Sequence, residues 1–176
     1  MIREKIIREY VKGKDVLDVG TVGQSAEYNL WQEMSSCAKS LTGIDIVPSQ
    51  EKNVVLGNME SYRFNRKFDV VVLGDIIEHV DNQGLLLDNV RSHLKPEGIL
   101  ILTTANARWF TVFIGTNPTH TLWHDRSTLN HILQRHGFKV AYFRYYYGNK
   151  RYYNIFVRLL ALRQGMLAIC KLTGGA

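Results

Sequence analysis

The chain of 176 residues contains only two cysteines, Cys37 and Cys170, and no hydrophobic run of membrane-spanning length. The two cysteines are far apart and in no metal-binding spacing, which argues against a disulfide framework and favours a reducing compartment. The first ten residues, MIREKIIREY, carry charges throughout and lack the apolar core of a signal peptide. We therefore expect one globular domain, residues 1–176, in the cytoplasm.

Acidic residues are absent from the last part of the chain. Residues 126–176 hold nine lysines and arginines and no Asp or Glu, whereas residues 1–125 hold 13 basic and 16 acidic residues. This asymmetry predicts an anionic partner near the C-terminal third, which would be a phosphate group, a nucleic acid or an anionic membrane surface. The alternative is that the basic residues only solvate a helix and two strands.

What the sequence does contain is an alternation of apolar strand patterns and helical patterns. The strand patterns lie at residues 16–19, 41–47, 53–56, 68–74, 98–104, 138–147 and 166–172. Helical spacing predicts helices at residues 2–11, 27–39, 84–94 and 127–135, with Ser127 as an N-cap, and residues 95–98 predict a turn. This alternation indicates an α/β fold with a parallel sheet, in which the last strand can run antiparallel.

The segment VLDVGTVGQSAEYN, residues 16–29, leaves a buried strand through an acid and two glycines. Gly20 and Gly23 have no Cβ atom, so the backbone can turn sharply and approach a ligand there. Asp18 lies at the strand end, where its carboxylate can orient the loop or accept a hydrogen bond from a ligand cation. Because ligands bind beyond the carboxyl ends of parallel strands, these three residues are candidates for a binding site.

Polar residues also follow the next two strands. Asp45 ends the second strand, where a carboxylate can accept hydrogen bonds from both hydroxyls of a ribose. After the third strand, the Asn58 amide oxygen can accept from an exocyclic amine, and the Met59 N–H can donate to a ring nitrogen. These features predict recognition of an adenosine. A dinucleotide site would have Gly-x-Gly-x-x-Gly at the pyrophosphate, and an acid at Asp18 suits the cationic S-adenosylmethionine better.

In this order, the segments VLDVGTVGQSAE, LTGIDI, GNME, FDVVVLGDIIEHV and LKPEGILILTTAN resemble the class I S-adenosylmethionine-dependent methyltransferases. The resemblance is closest to the small-molecule group that includes ubiquinone-biosynthesis O-methyltransferases. It implies a three-layer, Rossmann-like α/β fold whose seven-stranded sheet has the order 3-2-1-4-5-7-6, with strand seven antiparallel. It also implies S-adenosylmethionine as the cofactor, with these contacts: Asp18, Gly20 and Gly23 at the methionine part, Asp45 at the ribose, and Asn58 and Met59 at the adenine. The glycine loop departs from the family's usual Gly-x-Gly-x-Gly spacing, and Asn58 stands where the family has an acid.

The stretch GDIIEHV, after the fourth strand, concentrates acids and a histidine. Asp75, Glu78 and His79 stand at positions i, i+3 and i+4, so a helical turn would place them near one face, beside the donor site to which Asp75 is also assigned. In one hypothesis, His79 or His120 acts as the base that removes a proton from an acceptor hydroxyl. In the other, a divalent metal is bound by four residues: Asp75, Glu78, His79 and His120. A similar run goes with a divalent metal in small-RNA 2′-O-methyltransferases and quinone-pathway enzymes.

Aromatic and basic residues mark the expected acceptor side. Arg108, Trp109, Phe110 and Phe113 follow the fifth strand and suit either a planar or anionic acceptor or a hydrophobic cover of the sheet. The tyrosine-rich residues 142–156 suit stacking on nucleobases, a peripheral membrane contact or plain strand alternation. We expect O-methylation of a small-molecule or lipid-linked acceptor, with an anionic group. The alternatives are an RNA 2′-O-methyltransferase that binds nucleic acid, a non-catalytic nucleoside-binding adaptor and, disfavoured by the glycine pattern, a nicotinamide oxidoreductase.

Overall fold

The computed structural model describes residues 2–22, 29–108, 119–146 and 164–174. Within these residues, strands are formed by β1 (Asp15–Val19), β2 (Ser40–Asp45), β3 (Val54–Leu56), β4 (Phe68–Gly74), β5 (Leu94–Ala105), β6 (Phe138–Tyr146) and β7 (Gly165–Leu172). They make one seven-stranded sheet in the order β3-β2-β1-β4-β5-β7-β6. Strands β1 to β5 pair in parallel, and β7 is antiparallel to both of its neighbours. The expected fold class and strand order are confirmed.

Four helices are described: α1 (Ile2–Val11), α2 (Leu30–Ser35), α3 (Gln83–His93) and α4 (Arg126–Arg135). Helix α2 is shorter than predicted, because Asn29 caps it by accepting a hydrogen bond from the Gln32 N–H. The prediction of Ser127 as an N-cap is wrong. Asp125 caps α4 instead, and its carboxylate accepts from the Thr128 N–H at 2.9 Å while the Thr128 hydroxyl accepts from the Asp125 N–H.

The helices cover both faces of the sheet, which makes three layers. Alternate residues of a strand point to opposite faces, so β4 sends Val70 and Val72 to one core and Val71 and Leu73 to the other. The first core also contains apolar residues of α1 and α2, and the second contains those of α3 and α4. This double covering explains why β4 is almost wholly apolar in sequence.

The predicted turn at residues 95–98 is a bulge at the beginning of β5. Phe68 pairs with Leu94, but the next pair joins Val70 to Ile99, so the four residues 95–98 of β5 lie opposite the single residue Asp69 of β4. A Cβ at Gly98 would lie 2.9 Å from the carbonyl oxygen of Lys95, which explains the glycine at this position.

None of the described helices has the length and apolar character needed to cross a bilayer. The expected cytoplasmic location and peripheral membrane contact stay predictions.

Candidate functional site

The loop after β1 makes a sharp turn at Gly20, as the sequence predicts. Gly20 has a φ of 80°, a left-handed conformation that glycine adopts easily. A Cβ there would lie 1.9 Å from Cδ1 of Ile76, so the loop after β4 packs directly against the glycine backbone. Gly23 lies outside the described residues.

Asp18 is a buried carboxylate at the end of β1. Its exposure is only 1%, and its Oδ2 has no hydrogen-bond partner among the described residues. Burial, with a smaller contribution from the nearby charge of Asp45, raises the pKa of this carboxyl to about 7. A buried carboxylate without a partner is costly, so this oxygen is suited to accept from a cationic group on a ligand.

The Asp45 carboxylate holds the loops at the ends of β1 and β2. One oxygen accepts from the Val22 N–H at 2.7 Å, and the other accepts from the Val47 N–H at 2.9 Å. Each carboxylate oxygen has a second lone pair, so these contacts leave room for ligand hydroxyls.

Residues 58–62, after β3, form a compact turn. The Asn58 side-chain oxygen accepts from the Glu60 N–H at 2.8 Å, and the Asn58 carbonyl accepts from the Ser61 and Tyr62 N–H groups. The C=O and N–H of a trans peptide point in opposite directions, so the Met59 N–H points away from the inside of the turn.

A cavity of about 170 Å³ lies at the carboxyl ends of the first four strands. It brings together the glycine loop, the end of β2, the turn after β3 and the loop after β4. The lining residues that matter here are Gly20, Asp45, Ile46, Asn58, Met59 and His79. Four of the six described residues assigned to the cofactor therefore line one cavity, while Asp18 lies buried at the end of β1.

The segment after β4 is a single turn rather than a helix. The Asp75 side chain therefore does not lie with those of Glu78 and His79. Asp75 has a φ of 56°. Its carboxylate pairs with Arg3 of α1 and accepts hydrogen bonds from the hydroxyls of Thr103, at 2.9 Å, and Tyr146, at 3.1 Å. The predicted set of four metal ligands therefore needs correction, because the structure does not group Asp75 with the other three.

Glu78, His79 and His120 do form a group. One ligand atom from each lies within 4.8 Å of the others, and the two histidine rings meet edge to face with their centroids 4.5 Å apart. Glu78 Oε1 accepts from the Ala105 N–H, whereas Glu78 Oε2 and His120 Nδ1 are buried atoms without a hydrogen-bond partner among the described residues. Glu78 and His120 therefore each keep one unpartnered polar atom and lie close to His79, which also lines the cavity.

The electrostatic surroundings favour the uncharged forms of Glu78 and His120. Burial raises the pKa of Glu78 to about 7, and the Asp75 charge contributes to this shift. Burial lowers the pKa of His120, and the neighbouring His79 lowers it further. A neutral imidazole has a lone pair that can accept a proton or bind a metal ion.

Residues 119–124 are fastened onto the turn after β4. The Thr121 N–H and hydroxyl both donate to the Glu78 carbonyl, and the hydroxyl also lies 2.9 Å from the Val80 carbonyl. His79 Nδ1 lies 3.2 Å from the Thr119 carbonyl. These contacts fix His120 beside His79.

A second, open cavity of about 570 Å³ lies between α4 and β6. Arg108 stands at its rim with its guanidinium 2.6 Å from the Asp125 carboxylate, and Arg126 lies over the ring of Phe143. Of the predicted acceptor residues, Trp109, Phe110 and Phe113 lie outside the described residues, as do residues 147–163.

A family model described as a methyltransferase domain matches residues 3–142. The chain belongs to the methyltransferase domain family. This membership confirms the resemblance to class I methyltransferases and the expectation that the cofactor is S-adenosylmethionine. The single-domain assignment of residues 1–176 stays a prediction.

The curated relatives are ubiquinone biosynthesis O-methyltransferases. The protein of Rickettsia canadensis is 28% identical over 116 residues, which are 60% of this chain and 49% of the relative. The Haemophilus ducreyi protein is 31% identical in an alignment of 113 positions, which covers 53% of this chain and 46% of that relative. The chain therefore spans about half the length of the curated relatives it matches.

Solved structures show the same fold. A methyltransferase from Archaeoglobus fulgidus has a TM-score of 0.72 and 20% identity, with 97% of this chain and 91% of that chain covered. The N-methyltransferase NodS from Bradyrhizobium japonicum, in complex with S-adenosylhomocysteine, has a TM-score of 0.71 and 14% identity, with 98% and 87% covered.

Sequence reasoning missed the partners that hold these groups in place. Arg3 and Tyr146 bind Asp75 from opposite ends of the chain, and Thr121 fastens the segment that carries His120. Of these partners, only Thr121 could have been suspected from the sequence, because it directly follows His120.

Proposed function

We propose that the chain transfers a methyl group from S-adenosylmethionine to an oxygen atom of a small-molecule or lipid-linked acceptor. The observation that carries the proposal is that His79 lines the cavity at the strand ends and also belongs to the group with Glu78 and His120. A donor in the cavity would thus lie beside groups that accept a proton. S-adenosylmethionine, when bound, supplies an activated methyl group, so the protein mainly has to align the acceptor and remove its proton.

The residues at the strand ends fit the parts of the donor. The unpartnered Oδ2 of Asp18 suits the positive charge of the methionine part, and the absence of a side chain at Gly20 allows close approach. Asp45 suits the ribose hydroxyls, and Asn58 and the Met59 N–H suit the adenine edge. Gly23 remains assigned to the methionine part by resemblance. Asp75 remains assigned to the donor because it directly follows β4, although it does not line the cavity and pairs with Arg3.

We assign proton removal to His79 or His120. When His79 Nδ1 carries its proton toward the Thr119 carbonyl, Nε2 bears the lone pair. The lowered pKa of His120 keeps its ring neutral at pH 7, so it can accept a proton from an acceptor hydroxyl or from His79.

A divalent metal fits three of the four predicted ligands. Glu78, His79 and His120 offer one carboxylate oxygen and two imidazole nitrogens, and two of the donor atoms have no other partner among the described residues. This set suits manganese, iron, cobalt or zinc better than magnesium. Such an ion would lower the pKa of an acceptor hydroxyl bound to it.

The second cavity and the names of the relatives support this choice of acceptor. Arg108 and Arg126 at the cavity between α4 and β6 suit an anionic group, and the apolar and aromatic lining suits an apolar body. The relatives are named for O-methylation in ubiquinone biosynthesis, whereas NodS is named for N-methylation. RNA is the second candidate, because residues 126–176 carry nine basic and no acidic residues.

Labelled S-adenosylmethionine tests the proposal directly. The purified chain is offered soluble phenols, phenols with an isoprenoid tail, amines and RNA, with and without added divalent metals. We expect label on a phenolic oxygen and its loss in His79→Ala. Label on RNA would favour the second candidate, and label on amines only would overturn O-methylation. Binding of S-adenosylhomocysteine without transfer to any acceptor class would support the adaptor.

A further inference from the structure

Helix α3 buries two polar side chains on the face that it turns toward the loop after β3. Asn89 is 2% exposed and His93 is 4% exposed, and they lie one helical turn apart between apolar residues of the core. A buried polar group is costly unless its hydrogen bonds are made, so their partners indicate why they are there.

The Asn89 amide is used completely: its Oδ1 accepts a hydrogen bond from the Ser92 hydroxyl of the same helix at 3.3 Å, and its other polar partners lie after β3. Its Nδ2 donates to the Met59 carbonyl at 2.6 Å and to the Tyr62 carbonyl at 2.7 Å. Its Oδ1 accepts from Arg63 at 2.5 Å. Both hydrogens of the amide group are therefore committed to holding two carbonyls of the same turn.

His93 supports the same segment from the next turn of the helix. Its Nε2 lies 2.9 Å from the Phe64 backbone nitrogen. A backbone N–H can only donate, so Nε2 accepts, and Nδ1 carries the proton that is donated to the Asn89 carbonyl at 2.8 Å. The rings of Tyr62, Phe64 and His93 then pack edge to face in series, with centroids 4.8 and 5.7 Å apart.

The contacts of Asn89 and His93 hold the segment after β3 against α3, and the Met59 peptide groups lie in this segment. The Met59 carbonyl is held toward α3, and the Asn58 carbonyl is held inside the turn by the Ser61 and Tyr62 N–H groups. The Met59 N–H belongs to the same trans peptide as the Asn58 carbonyl, so it points out of this turn, which lines the donor cavity. Asn89 holds the next peptide group and the Tyr62 carbonyl and so supports the turn. A neutral adenine N1 accepts a hydrogen bond, whereas hypoxanthine carries a hydrogen at N1 and a carbonyl in place of the amine.

We propose that Asn89, supported by His93, is a positioning residue that makes the donor site selective for adenine without touching the donor. The inference rests on the proposed function, in which the Met59 N–H and Asn58 read the adenine edge. Sites built to hydrogen-bond a group reject an analogue that mismatches it, but only while the donor and acceptor are held in place.

The test compares S-adenosylhomocysteine with S-inosylhomocysteine by titration calorimetry. Asn89→Asp keeps the size and the acceptor for Arg63 but removes both N–H donors, and Asn89→Leu removes all three contacts with the segment after β3. His93→Phe keeps a ring and removes both the acceptor for the Phe64 N–H and the donor to the Asn89 carbonyl, so it serves where the Asn89 variants fail to fold. Asp88→Asn is the matched control, because this neighbouring α3 residue is exposed and pairs with His136.

We expect the wild-type chain and Asp88→Asn to prefer S-adenosylhomocysteine by tenfold or more, and the preference to fall at least fivefold in the folded Asn89 or His93 variants. A general loosening of the structure would weaken both ligands equally and leave their ratio unchanged. Folded variants that keep the wild-type ratio of the two affinities would overturn the role of Asn89 and His93 and leave the proposed function standing. No binding of S-adenosylhomocysteine to the wild-type chain would overturn the proposed function and the assignment together.

Discussion

Two carboxylates at the amino ends of the strands and two at the carboxyl ends have opposite surroundings. At the amino ends of β1 and β4, Asp15 and Asp69 both bind Lys95, at 3.0 and 2.9 Å, and Asp15 also accepts from Ser40. At the carboxyl ends, Asp18 and Glu78 are almost fully buried, and each has one oxygen without a partner among the described residues. Hydrogen bonds from Lys95 and Ser40 lower the pKa of Asp15 to about 2, whereas burial raises that of Asp18 to about 7.

This difference indicates that the carboxylates at the amino ends stabilise the fold, whereas Asp18 and Glu78 are available for a ligand. A carboxylate that is paired with a cation stabilises the fold, whereas a buried carboxylate without a partner reduces the stability of the ligand-free protein. The account therefore predicts that changes at the amino ends affect stability and leave catalysis intact, and that changes at the carboxyl ends do the reverse.

The largest expected effect is the loss of methyl transfer in His79→Ala and His120→Ala. Removing a general base or a metal ligand should lower turnover by about a hundredfold or more, with S-adenosylhomocysteine affinity changed far less. Rates with labelled donor measure the first quantity, and calorimetry measures the second. His131→Ala, on the exposed side of α4, and Asp69→Asn, at the opposite end of the sheet, should retain wild-type turnover. Full turnover in both His79→Ala and His120→Ala would remove the catalytic assignment.

Metal analysis of the same proteins separates the two roles of the cluster. If the group binds a metal, the metal content of the purified protein should fall to background in His79→Ala and Glu78→Gln and stay at the wild-type level in His131→Ala. Equal metal content in all four proteins would end the ligand assignment and leave proton removal as the role of the histidines.

The opposite pKa shifts give a prediction for stability against pH. The raised pKa of Asp18 contributes stability that is complete below its unfolded value of about 4 and is lost as the pH rises through about 7. Asp18→Asn should therefore make the ligand-free chain more stable than wild type at pH 8, by up to about 4 kcal/mol, and change little at pH 4. Urea unfolding at both values measures this difference.

Asp15→Asn is the matched comparison at the other end. Its lowered pKa contributes stability above about pH 4 that is lost as the pH falls through about 2, so the variant should be less stable than wild type at pH 7. A change of the same sign at pH 8 for Asp15→Asn and Asp18→Asn would contradict the contrast between the ends.

The smallest expected effect concerns the segment that carries His120. Thr121→Val keeps the shape but removes the hydroxyl that bonds to the Glu78 and Val80 carbonyls, so His120 should lose its fixed position beside His79. We expect turnover to fall about tenfold with little change in donor affinity, and Thr121→Ser to restore most of it. A Thr121→Val variant as fast as wild type would contradict the role of these hydrogen bonds.

The sequence predicts most of the fold because its signals are local. β4 is recognisable as an apolar run, and the predicted helix at residues 2–11 coincides with α1. The prediction of Ser127 as an N-cap is wrong because Asp125 forms a capping box with Thr128, and a carboxylate at that position competes well with a hydroxyl further along.

The site is predictable only where it depends on strand ends. Asp45 and Met59 come together in one cavity because parallel strands end at one edge of the sheet. Asp75 could not be placed by its spacing, because Arg3 and Tyr146, 72 and 71 residues away, determine where its carboxylate points. Long-range partners of this kind leave no periodic pattern in the sequence.

Calorimetric titration with S-adenosylhomocysteine tests the central assignment of the cavity most directly. The account predicts one-to-one binding to the wild-type chain and its loss in Gly20→Ala, whose Cβ would lie 1.9 Å from Ile76. Gly13→Ala is the control, because Gly13 also has a positive φ but has open space around it, so binding should persist. Absence of binding to the wild-type chain, or unchanged binding to Gly20→Ala, would contradict the account.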